Sequence, residues 1–126
     1  MDSSAVRGVL IVESLRVGGR IDGIPWRVHA LTRFDAPADP VGGPPTWTFL
    51  EFEADLDDAE RLATAFERAL DGSLAWYASF RSDRGMFVVF AGRTFRYDLG
   101  DAAAKAEAES YARSIGVPDA QLDWEQ

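Results

Sequence analysis

The chain has no cysteine, a single histidine, and no apolar run approaching the roughly 20 residues that cross a bilayer. The missing sulfur excludes disulfides, thiolate nucleophiles and cysteine-built zinc sites. His29 stands alone, and the sequence places no second group beside it to make a general base or a metal centre. There is no G-x-S-x-G elbow, no dinucleotide fingerprint and no phosphate-cradling loop, because Gly42-Gly43 runs into prolines and a strand rather than a helix. The serines have no base nearby in the sequence. No catalytic residue, metal ligand or cofactor is therefore assigned, and the chain leans away from enzyme chemistry. The opening MDSSAVRGVLIVE lacks a basic segment followed by a long apolar one, so a cytoplasmic location is expected.

The formal charge of −8 is unevenly spread over the 126 residues. Acids crowd 55–71 and the stretch from Asp98 onward, whereas Arg81, Arg84, Arg93 and Arg96 face only Asp83 between them. An acidic body repels nucleic acid and anionic membrane, which disfavours both as partners.

The most informative segment is WYASFRSDRGMFVVFAGRTFRY, Trp76 to Tyr97, where aromatics recur at strand spacing with arginines on the same ribbon. Gly8 to Val17 predicts a first strand. Gly18-Gly19 and Asp22-Gly23 both suit a turn into the second, so the hairpin register stays open. Along that second strand Trp26, Val28, Ala30, Thr32 and Phe34 alternate with Arg27, His29, Leu31 and Arg33. Residues 36–45, APADPVGGPP, must be an exposed, flexible loop. Strand three follows over Thr46–Ala54, with Thr48, Leu50 and Phe52 on one side and Trp47, Phe49, Glu51 and Glu53 on the other.

Asp57 with Glu60 forms a capping-box pattern for a helix whose stripe is Ala59, Leu62, Ala63, Phe66, Ala69 and Leu70, with Gly72 at its left-handed end. Leu74–Phe80 and Met86–Phe90 predict strands. At 91–93 either a hairpin or a bulge fits before Arg93–Tyr97. A second helix runs from Asp101 to about Ser114, with Ala104, Ala108, Tyr111 and Ile115 as its apolar line. Leu122 and Trp124 are expected to pack.

The order β-β-β-α-β-β-β-α over a single domain, 1–126, predicts an α+β two-layer sandwich. One mainly antiparallel sheet of five to six strands would carry both helices on one face and leave the other wet.

Two surfaces are candidate sites. One is the strand face bearing Arg27, His29 and Arg33 beside Trp47 and Phe49, whose aromatic pair among charges has the composition of a protein-recognition or dimer surface. The other is the ribbon of Tyr77, Arg81, Arg93 and Arg96. Core packing and cross-strand ion pairs compete with function for both.

The run FVVFAGRTFRYDLGDAAAKAEAESYARSIGVPDAQLDW resembles a family of small uncharacterised proteins of high-GC actinobacteria. The matching elements are the strand Phe87–Phe90, the G-R-x-F-R-Y stretch Gly92–Tyr97, the G-D helix start Gly100–Ala108 and the G-V-P-x-x-Q-L-D-W end Gly116–Trp124. The likeness extends more weakly over Asp57–Asp71 and the WYASF strand. It implies an α+β protein of the cytoplasm and brings no activity with it.

Two functions follow as expectations. The leading one is a non-enzymatic protein-binding or regulatory module that contacts another protein or a second copy of itself. The alternative is an anionic-ligand-binding protein or enzyme in which Arg93 and Arg96 grip the ligand and Trp76 or Tyr77 stacks on it. A flat apolar-centred face would favour the first, and a closed pocket lined by those side chains the second.

Overall fold

In a computed structural model, residues 4–36 and 43–125 are described. Six strands form one antiparallel sheet in the order β2-β3-β1-β4-β5-β6: β1 Ala5–Ile11, β2 Trp26–Asp35, β3 Thr46–Asp55, β4 Ala78–Arg81, β5 Gly85–Phe90 and β6 Arg93–Asp98. The helices are α1, Ala59–Ala69, and α2, Ala102–Ser114. The α+β class and the order of elements are those the sequence predicts. Strands β2 and β3 form a hairpin closed by Ala36 N–H donating to the Pro45 carbonyl at 2.9 Å. Of the loop expected at 36–45, residues 37–42 lie outside the described ones.

The two strands expected to pair through the turn at 18–23 are not neighbours, because β3 lies between β1 and β2. Gly8 explains the close fit of β1 on its other side: a Cβ there would stand 2.1 Å from the Ser79 carbonyl oxygen. At the other hairpin, Ala91-Gly92 makes a two-residue turn, with Gly92 at φ 76°.

The helices do not share a face. Along β5, Phe87 and Val89 join the cluster containing Leu62, Ala63 and Phe66 of α1. Met86, Val88 and Phe90 join the cluster containing Ala108 and Ala112 of α2. Successive strand residues point to opposite sides, so α1 and α2 cover opposite faces. The expectation of both helices on one side is corrected. A strand buried on both faces reads as an unbroken apolar run, as MFVVF does.

Two helix ends also differ from expectation. A 3-10 turn, Leu56–Asp58, precedes α1, and its N-cap is Asp58, whose carboxylate pairs with Arg61 instead of capping. The chain leaves α1 extended at Leu70, which bridges to Leu15, so Gly72 needs no left-handed conformation. At α2 the reading holds: Asp101 accepts from the Ala104 N–H at 3.1 Å, and Gly116 follows the helix at φ 102°. Among the described residues no helix is long and apolar enough to cross a membrane.

Candidate functional site

The face of the sheet opposite α1 is covered by α2 only toward β5 and β6. Over β2, β3, β1 and β4 it is ordered by register. Arg27 stands opposite Glu53, Glu53 opposite Arg7, and Arg7 opposite Arg81, giving a charged row across four strands. Toward the other end of the strands come Phe49 opposite Ile11, and then Phe34 opposite Trp47.

A bulge at His29 creates this arrangement. Pairing jumps from Val28–Phe52 to Ala30–Glu51, so one extra residue reverses the parity of β2. Before the bulge Trp26 packs on Phe52 and Phe66 toward α1. After it Phe34 turns to the opposite face, its ring 4.7 Å from Phe49 and 6.3 Å from Trp47. The strict alternation read from the sequence is thereby corrected: Arg27 and His29 lie on the open face, and Arg33 on the α1 side. There the Arg33 guanidinium donates to the Thr46 hydroxyl at 3.2 Å.

Between the bare half of the face and the α2-covered half lies a cleft of about 420 Å³. Its floor is Val9 and Ile11 of β1 with Ser79 of β4, and its aromatic end is Phe34, Trp47, Phe49 and Trp76. Arg7 and Arg81 line the charged end. The far wall is the segment after α2, with Gln121, Asp123 and Trp124. Tyr77 fastens that wall: its hydroxyl donates to the Gln121 carbonyl and lies 3.2 Å from an Asp123 carboxylate oxygen. Burial first, and then the Asp123 charge, push the Tyr77 hydroxyl well above the usual phenol range. Trp124 packs edge-on to Tyr77 at 5.3 Å and donates from Nε1 to the Tyr97 hydroxyl at 3.0 Å, while Tyr97 bonds Glu125. Leu122 and Trp124 pack as expected.

The two ends of the cleft differ electrostatically. Glu53 is hydrogen-bonded to His29 Nε2 at 3.0 Å and flanked by Arg27 at 3.5 Å and Arg7 at 3.6 Å. The His29 contact chiefly, then the two arginines, hold its carboxyl below the usual carboxylate range against the opposing effect of burial. Glu53 thus neutralises part of Arg27 and Arg7. Arg81 is exposed and has no acidic partner among the described residues. At the aromatic end, Trp47 is only 5% exposed and sits edge-on to Trp76 at 5.6 Å. Its Nε1 donor is buried without a hydrogen-bond partner among the described residues.

Of the residues singled out by sequence, Trp47, Phe49, Tyr77 and Arg81 meet in this cleft. Arg27 and His29 lie beside it in the charged row. Arg93 and Arg96 do not reach it. The Arg93 guanidinium lies 4.6 Å over the Phe95 ring and 4.8 Å over Tyr111 of α2, and Arg96 pairs with Glu60 of α1 at 2.8 Å. The pair expected to grip one ligand together is therefore split between opposite faces, as adjacent parities on β6 require. Sequence reasoning missed Arg7 and Asp123. Arg7-x-Val9-x-Ile11 is a period-two signal continuous with the first strand, whereas Asp123 had none. Among the described residues no group of three His, Asp or Glu side chains could hold a metal ion. No family model, curated protein or solved structure matches this chain.

Proposed function

We propose that the protein binds a small organic anion with an apolar or aromatic body in the cleft between β1, β4 and the C-terminal segment. The observation that carries this reading is Arg7 standing directly opposite Arg81 at the mouth of an aromatic-lined cavity. Like charges opposed across strands are destabilising, and guanidinium groups favour bidentate contact with carboxylate or phosphate. An anion seated between them removes the repulsion, while Ile11, Phe34 and Phe49 bury the body of the molecule. A volume of about 420 Å³ falls within the range of small-molecule sites.

The test is thermal unfolding with 4-phenylbutyrate as the probe. A ligand at a hundredfold excess over its Kd stabilises by about 2.7 kcal/mol, a shift of several degrees at this size. Arg81→Met should abolish the shift. A flat response up to millimolar probe removes the reading.

A second reading, a cytoplasmic module that contacts another protein or a second copy, is favoured by one observation. Leu31 and Val28 on the edge strand β2 are 65% and 50% exposed. Light scattering separates the two: a concentration-dependent dimer that Leu31→Lys disperses supports the contact module.

A further inference from the structure

Resting on the binding reading above, we infer that the ligand is two-poled, with an acid at one end and an ammonium group at the other. Arg81 and Tyr77 both line the cleft and stand four residues apart along one extended segment, so their backbones are roughly 13 Å apart. At the Arg81 end the lining is cationic. At the Tyr77 end the charge is reversed: Asp123 lines the wall, and one of its carboxylate oxygens has no partner among the described residues.

What surrounds Asp123 suits a cation. The rings of Tyr77 and Trp124 meet at 5.3 Å beside it, and electron-rich aromatic faces attract an ammonium group. The Tyr77 hydroxyl is already committed to the Gln121 carbonyl and Asp123, so its proton is not offered to an anion. A ligand with an acid alone leaves the exposed Asp123 carboxylate to water. A ligand with an amine alone meets the unpaired Arg81. Only a molecule carrying both, separated by an apolar or aromatic spacer, answers the two ends together. The chemical class is thus an elongated amino acid or amino phosphate with an apolar middle, bound in extended form.

The experiment is calorimetric titration of the whole protein with 4-phenylbutyrate and with its counterpart bearing an aminomethyl group para to the chain. The aminomethyl compound should bind about tenfold tighter, the effect of one charge-assisted hydrogen bond. Asp123→Asn should erase that advantage, and 4-phenylbutyrate, relieved of a like charge in the same cleft, should bind no more weakly than to the parent. Asp123→Glu, which keeps the charge, should restore it. Equal binding of the two compounds, or an advantage that survives in Asp123→Asn, overturns the two-poled assignment while leaving the anion site standing. Failure of both compounds to bind overturns the anion site itself.

Discussion

Arg7 and Arg81 face each other directly across the β1–β4 ladder, and Glu53, the acid paired with Arg7, stands on its far side. Like charges so placed oppose folding. Arg81→Met should therefore raise stability by about 0.2–1 kcal/mol, the range of cross-strand charge pairs. The gain should shrink as salt rises and screens the pair. Urea unfolding at low and high ionic strength measures both.

The parity of β5 makes a sharper prediction. Val88 and Val89 are both fully buried, but they lie in different clusters. Each Val→Ala change should cost about 1–3 kcal/mol. Hydrogen exchange should then separate them: Val89→Ala speeds exchange in α1, and Val88→Ala in α2. Identical exchange patterns would contradict the placement of the helices on opposite faces.

Trp47 offers a test of its orphaned donor. A buried N–H without an acceptor costs about 1–3 kcal/mol. Trp47→Phe removes that burden together with some packing, so the net loss should stay under about 1.5 kcal/mol. Phe66→Ala, in the sealed core beneath α1, should lose about 3–5 kcal/mol. Chemical denaturation of the two variants beside the parent decides it.

Glu53 should shape the acid limb of stability. Its carboxyl is held below the usual range in the folded protein, so the unfolded chain takes up a proton first as pH falls. The stabilisation is complete above the unfolded value, about 4.3, and is lost as pH drops through the lower folded value. Glu53→Gln should be less stable at neutral pH and should lose less on acidification between pH 5 and 3. Urea midpoints across that interval give the slope.

Much of the fold was legible. The order of elements and the ends of α2 follow from local chemistry that is complete within a few residues: an acid at the N-cap, a glycine at positive φ, an apolar run of strand length; at 91–93 the same residues left a hairpin and a bulge both open. The candidate site was half legible. Trp47, Phe49, Tyr77 and Arg81 stood out as bulky or charged groups at strand spacing, but that Phe34 joins them on one face depended on the bulge at His29 in β2. A single inserted residue reverses every side chain beyond it, and nothing in the composition of RVHALTRF marks the place. That Trp124 of the cleft's wall would pack was legible, but not against what, because the Tyr77–Asp123 contact joins residues 46 apart and exists only once the segment after α2 has folded back.

Strand β5 has a consequence for how the molecule comes apart. Its alternate side chains are the common floor of two otherwise separate apolar clusters, so neither helix can peel away and leave the other's support intact. Melting of the two halves should be welded into a single all-or-none event, with far- and near-ultraviolet signals crossing their midpoints together.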